Sequence, residues 1–247
     1  MAPMTAPRPL LIVQTGRTHD HIRQQLGDFD DWIEAGLRSA GDHAASVVRF
    51  DARAGGPPPP PDALAGIVLT GSHAMVSDRE AWSEALVPWL QRAVALQTPL
   101  LGICYGHQLL AHALGGEVAH HPQGVEIGTV RVQRHAAAHT DALLGELPAS
   151  FEAQATHWQS VRRLPPGAVL LAGNAFEPHH AFRVGPSAWG VQFHPEFSAE
   201  ALRAYVDGMG QVLAREGRDA AQISAGLKDT PHAASVLPRF ARLALSA

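Results

Sequence analysis

Apolar runs of four to five residues set the rhythm of the first half of the chain: Leu10 to Val13, Ser46 to Phe50, Ala65 to Leu69 and Pro99 to Ile103. Their length, and the Pro, Gly and polar residues around them, predict strands. Between them the apolar positions change to helical spacing. Phe29, Trp32, Ile33 and Leu37 fall on one stripe, with Asp28, Asp30 and Asp31 near its start, where the positive end of a helix dipole favours negative charge. Asp78 to Leu96 reads as helical, with Pro88 expected to break it or to open the first turn of a second helix. Leu109, Leu110, Ala113 and Leu114 carry a further helix that Gly115 and Gly116 stop. Ala54 to Pro61 contains two Gly and five consecutive Pro, and must be a surface connection, because proline neither donates to a sheet ladder nor continues a helix.

Strands alternating with helices imply an α/β fold with a mostly parallel sheet flanked by helices. The pattern then changes. Glu117 to Val132 and Val169 to Phe193 hold several short strand-like runs with few helical intervals, which predicts a small antiparallel extension on the same core. From Ala199 the chain turns helical again, with Leu202, Tyr205, Val206, Met209, Val212 and Leu213 on one stripe. The expectation is one domain over 1–247, in which 199–247 forms a helical tail that caps the domain or offers a homo-oligomer surface.

Composition narrows the function classes. A net charge of -4 leaves no basic footprint for nucleic acid and no polybasic membrane segment. No apolar run is long enough to span a bilayer, and no apolar core of signal-peptide type follows the first Pro and Ala residues, so a cytoplasmic protein is expected. With a single cysteine, an intramolecular disulfide and a multi-thiolate zinc site are both impossible, so any interest in Cys104 lies in its reactivity.

Cys104 stands between two glycines, Gly102-Ile103-Cys104-Tyr105-Gly106, at the junction of a predicted strand and a predicted helix. That is the form of a nucleophile elbow: a tight turn whose neighbours cannot carry a Cβ, followed by a helix whose N-terminal amides and dipole favour a thiolate. The thiolate needs a partner to protonate the leaving group, and histidine is the usual one. Of the 15 histidines, His120-His121, His179-His180, His135 and His139 read as solvated loop residues or a weak metal patch, and no metal site is expected. His194 is different. It follows the strand-like Gly190-Val191-Gln192-Phe193, precedes Pro195, and has the carboxylate of Glu196 two residues on. If its strand lies beside the one ending at Cys104, the histidine projects from the same carboxyl edge of the sheet, and Glu196 can hold its second nitrogen.

The segments GICYGHQLLAHALGG (Gly102 to Gly116) and GVQFHPE (Gly190 to Glu196) resemble the class I glutamine amidotransferases, and the chain is similar to their free-standing, GMP-synthase-like members over roughly Leu10 to Val206. The resemblance implies a flavodoxin-like sheet. It also implies a thioester formed by Cys104 on the side-chain amide of glutamine, with His194 protonating the departing ammonia and then activating water while Glu196 orients it. The backbone amides of Gly71 and Tyr105 would form the oxyanion hole, and Gln108 would contact the substrate, with Ser72 and His157 as further candidate contacts. Two departures stand out. The oxyanion loop reads Thr70-Gly71-Ser72-His73 where many relatives have Gly-Gly-Pro, and a later loop reads Thr156-His157-Trp158-Gln159-Ser160-Val161 where GMP synthases have His-Gly-Asp.

Three functions follow as alternatives. The first is a glutaminase subunit with a separate synthetase as partner, since the segment after Ala199 is too short to bind ATP and an acceptor. The second is a γ-glutamyl peptide or amide hydrolase using the same residues. The third is a non-catalytic binding or regulatory protein that retains the elbow. A thioester and two proton transfers require no cofactor.

Overall fold

The computed structural model describes residues 8–41 and 46–246. Its core is a nine-stranded sheet in the order β2-β1-β3-β4-β11-β10-β9-β6-β7. These strands are β1 (Leu10–Gln14), β2 (Val47–Asp51), β3 (Gly66–Leu69), β4 (Leu100–Ile103), β6 (Glu126–Arg134), β7 (Ser150–His157), β9 (Val169–Gly173), β10 (Ala181–Val184) and β11 (Ala188–Val191). Pairing is parallel from β2 through to β11 and antiparallel from β11 onward to β7. β5 (Glu117–His120) and β8 (Gln159–Arg163) form a separate two-stranded antiparallel sheet. The parallel half and the antiparallel extension thus belong to one sheet, with β11 returning late in the chain to pair beside β4.

The apolar runs are continuous because both faces of the parallel sheet are covered. In β1, Leu10 and Ile12 pack with Ile33 and Leu37 of α2 (Phe29–Arg38) and with Leu237 and Phe240 of α9 (Val236–Leu245). The intervening Leu11 and Val13 face the opposite layer, where Leu86 and Leu90 of α3 (Ala81–Ala95) meet Leu109 and Leu110 of α4 (Tyr105–Ala113). Between β1 and α2 lies a short helix, α1 (Asp20–Leu26). The aspartates at the start of α2 cap it as well as complement its dipole: the Asp28 carboxylate accepts from Phe29 N at 2.8 Å, and Asp31 Oδ2 accepts from Asp28 N at 2.9 Å.

Pro88 does not divide its helix. α3 runs unbroken from Ala81 to Ala95 with the proline on its exposed side, because Leu86, Leu90 and Ala93, on either side of it in sequence, bury into the same layer. Tertiary packing here outweighs a helix-interior proline, which costs about 3 kcal/mol. After β11 come α5 (Ala199–Gly208), α6 (Gly210–Arg215), α7 (Ala220–Ala225), α8 (Pro231–Ala234) and α9. Among the described residues, no helix is long and apolar enough to cross a membrane.

Candidate active site

The sharp turn between β4 and α4 puts Cys104 at φ 50° and ψ -100°, a conformation that a residue with a Cβ seldom adopts. The flanking glycines make the turn possible. A Cβ on Gly102 would lie 2.4 Å from the Gly106 carbonyl oxygen, and one on Gly106 would lie 2.6 Å from Leu69 Cβ, so neither position has room for a side chain. Cys104 N donates to Val191 O at 2.9 Å, tying the elbow to the end of β11.

Register brings the second half of the site to the same edge. Gly190 pairs with Gly102 and Val191 with Ile103, so β11 ends level with the elbow and His194 follows three residues later. The backbone of His194 is held from the other side, its N–H donating to Gln154 O at 2.8 Å. Its Nδ1 donates to Glu196 Oε1 at 2.7 Å, and both side chains are almost wholly buried. Nε2 makes no hydrogen bond among the described groups, and the Cys104 thiol, close enough to act on the ring electrostatically, is the group it can serve. Burial alone would lower the pKa of His194, but the Glu196 carboxylate and Cys104 outweigh it and raise the imidazole to about 10.

The loop after β3 closes the site. Thr15, at the end of β1, anchors it: Thr15 Oγ1 donates to the carbonyls of Thr70 at 2.9 Å and Gly71 at 3.0 Å, and Thr15 N donates to Thr70 Oγ1 at 3.0 Å. Gly106 N donates to Thr70 O at 3.2 Å, bringing the loop against the start of α4. Gly71 therefore lies directly against His194; a Cβ there would stand 3.2 Å from His194 Cε1 and 3.9 Å from Cys104 Cβ. No described hydrogen bond takes up the amide of Gly71 or of Tyr105, the first residue of α4.

A cavity of about 280 Å³ opens on Cys104, bordered by Tyr105, Gln108, Ser72 and His157 as well as His194. Ser72 Oγ accepts from Ala74 N at 3.1 Å and so braces its own loop. Gln108 Nε2 donates to Gln159 O at 2.7 Å and to Gln192 Oε1 at 3.0 Å. His157 borders the cavity with both ring nitrogens engaged, Nδ1 with Gln159 O at 3.0 Å and Nε2 with Glu126 Oε2 at 2.8 Å. The segment around it is not an open loop: His157 ends β7, Gln159 begins β8, and Trp158 alone lies between them.

Behind His157 lies a buried polar group that the sequence pattern did not single out. Glu126 also meets His180 Nε2 at 3.2 Å and accepts from Asn174 Nδ2 at 2.8 Å. Burial alone would raise the Glu126 carboxyl; hydrogen bonds from the two histidines hold it well below the ordinary carboxylate range. His180 is fully buried and His121 nearly so, which corrects the expectation of solvated residues for these two, while His179 is half-buried and His120, His135 and His139 are exposed. The reason is the partners: Glu126 and Asn174 engage Nε2 of His180, whose Nδ1 has no partner among the described groups, and the Phe176 carbonyl and the Gln123 amide engage the two nitrogens of His121. Among the described residues no group of three or more His, Cys, Asp or Glu is arranged to hold a metal. Also unanticipated is a wall around His194 made by Phe197, whose ring centre is 4.1 Å from that of His194, and by Tyr205, His73 and His19. Tyr205 lies on the predicted apolar stripe, and nothing in the pattern marks it as a site residue.

Known proteins resemble this chain in sequence and fold. A family model described as glutamine amidotransferase class-I matches residues 27–206. The chain is 38% identical over 141 residues to a GMP synthase (glutamine-hydrolyzing) of Thermomicrobium roseum, covering 57% of this chain and 25% of that one. It is 30% identical over 145 residues to gamma-glutamyl peptidase 4 of Arabidopsis thaliana, covering 58% of this chain and 57% of that one. The chain thus matches about a quarter of the length of the synthase and a little over half of the peptidase. Among solved structures, a glutamine amido transferase from Methylobacillus flagellatus superimposes with a TM-score of 0.69 at 26% identity, over 97% of this chain and 93% of that chain. A glutamine amidotransferase from Thermotoga maritima shares the fold, with a TM-score of 0.68 at 19% identity over 96% of each chain. The matched region runs from the start of α2 into α5 and contains the elbow, His194 and Glu196, and the chain belongs to the class I glutamine amidotransferase family.

Proposed function

We propose that the chain hydrolyses the side-chain amide of γ-glutamyl compounds, glutamine being the simplest, through a thioester on Cys104. The observation that carries this reading is His194 held at Nδ1 by Glu196 with Nε2 left for a thiol on a strained elbow. With the proton already held on His194, Cys104 Sγ attacks the amide carbon as the thiolate. The oxyanion is received by the amides of Gly71 and Tyr105; a donor of this kind contributes about 3 to 4 kcal/mol. Collapse breaks the C–N bond as His194 Nε2 returns its proton to the leaving nitrogen. Water, deprotonated by the same nitrogen, then cleaves the thioester to the γ-carboxylate and restores the thiol. Glu196 keeps the ring in orientation and stabilises the imidazolium between these steps. Gln108, Ser72 and His157 shape the acyl side of the cavity.

When glutamine is the substrate, the product is ammonia. The 38% identity to a GMP synthase supports a separate synthetase as its consumer, and a synthetase that co-purifies with the chain is the sign of that arrangement. The 30% identity to a gamma-glutamyl peptidase supports hydrolysis without a partner. The test common to both is trapping. A glutamine-mimicking electrophile should leave its adduct on Cys104, Cys104→Ala should lose turnover, and His194→Asn should lose it by a factor of about 10⁴ with the fold intact. A fully active Cys104→Ala enzyme overturns the proposal.

A further inference from the structure

Because His194 protonates the departing nitrogen, whatever that nitrogen carries must pass the groups around the His194 ring. Those groups are aromatic and apolar. Phe197 covers the ring, Phe29 stacks on Phe197 at 6.0 Å, and Tyr205 lies 5.4 Å from Phe197. His73 bonds the Tyr205 hydroxyl at 3.1 Å, and Tyr205 meets Thr18 Oγ1 at 2.7 Å, so the polar tips are spent on one another. Farther out, Met209 and Val212 complete the wall, and Val212 is 37% exposed, an apolar side chain open to the cavity mouth without cover. Among the described residues, the cavity lining contains no Lys, Arg, Asp or Glu. Two of its imidazoles are disfavoured in their charged form: burial of the His73 ring, then its neighbours His19 and His194, push it down to about 4, and burial, then His21, lowers His19. The cavity, at about 280 Å³, continues from Gln108 and His157 on the acyl side past His194 to this wall.

We infer that the wall formed by Phe197, Tyr205, Met209 and Val212 is a subsite for the amine half of the substrate, and that the chain prefers γ-glutamyl amides whose nitrogen carries an uncharged aromatic or apolar group. This rests on the thioester reading above and specifies its leaving group. The step balances as before: the S–C bond forms, the C–N bond breaks, and His194 supplies the proton with which the neutral amine departs. An apolar substituent gains from leaving water against this wall, whereas a carboxylate at the same place loses hydration and finds no Lys or Arg among the residues that line it.

The experiment compares γ-glutamylbenzylamide, γ-glutamylglycine and glutamine with the purified full chain; the two substituted amides release primary amines of similar basicity. The expected result is a kcat/KM for the benzylamide about 30-fold above that for γ-glutamylglycine, within the range one hydrophobic contact surface confers. Met209→Lys and Val212→Lys, on the outer wall, should each shrink that ratio about 10-fold by offering the glycine carboxylate a partner. Equal or faster hydrolysis of γ-glutamylglycine by the parent chain overturns the inference and leaves the thioester reading standing. No turnover of any of the three overturns both.

Discussion

Glu196 joins His194 at a distance of 2.7 Å where both side chains are almost wholly buried, and this contact does most to hold a proton on the imidazole. The folded-state value of about 10 lies above the ordinary 6.5, so the pairing contributes stability that is fully present below pH 6.5 and is lost as pH rises through about 10. Glu196→Gln removes the carboxylate that does most to hold the proton on the ring. The thermal midpoint of the parent chain should therefore fall more steeply between pH 6.5 and 10 than that of the variant. Turnover of Glu196→Gln should drop by about 10²-fold, less than for either Cys104→Ala or His194→Asn. Matching pH profiles of stability would remove Glu196 from this role. The meeting of Cys104, His194 and Glu196 at one sheet edge was legible in the sequence because each sits near the end of an apolar run bounded by turn residues, a local pattern. Tyr205 was not. Its bond to Thr18 joins residues 187 positions apart, and a tyrosine on an apolar helical stripe reads as core until the opposite wall is known.

At the scale of elements, α3 and the His157 region teach complementary lessons. Pro88 reads as a break because local propensity penalises it, yet Leu86 and Leu90 are buried in one layer and keep the helix whole. Pro88→Ala should restore a donor toward Glu84 O on an exposed face and stabilise the chain by about 1 to 2 kcal/mol, after allowing for the greater freedom of the unfolded variant. Thermal denaturation checks this, with a rise of about 2 to 8 °C expected. A fall would mean that α3 depends on the proline itself. The buried group at Glu126 was illegible for the opposite reason. A glutamate in a strand-like run and two histidines in connections are each ordinary surface residues by type; only the pairing of β6 with β7, Glu126 opposite His157, creates the partners that let them be buried. What the sequence did convey there was the departure from His-Gly-Asp, and the structure places that departure in strands, where both His157 nitrogens are already spoken for.

For the molecule as a whole, the alternation of strands and helices conveyed the parallel half of the sheet, and the change of rhythm after Gly116 conveyed its antiparallel half. It did not convey the strand order, since nothing local states that β11 rather than β5 lies beside β4. That order has a consequence for a chain made from its N-terminus. By the time Ile103 and α4 have left the ribosome, Cys104 and the glycines of its turn have been made, but the seat beside β4 stays empty until β11, about 75 residues past the end of α4, has been made. During that interval β4 presents an unpaired apolar edge, and the thiol has neither its histidine nor the carbonyl of Val191 that fixes its amide. The only cysteine of the chain is thus made early and meets His194 late, when β11 takes its place beside β4. Refolding followed by an electrophile that reports the assembled site should give labelling no sooner than the burial of Trp189, which travels on β11. Labelling that precedes it would mean that the nascent thiol is reactive without its base.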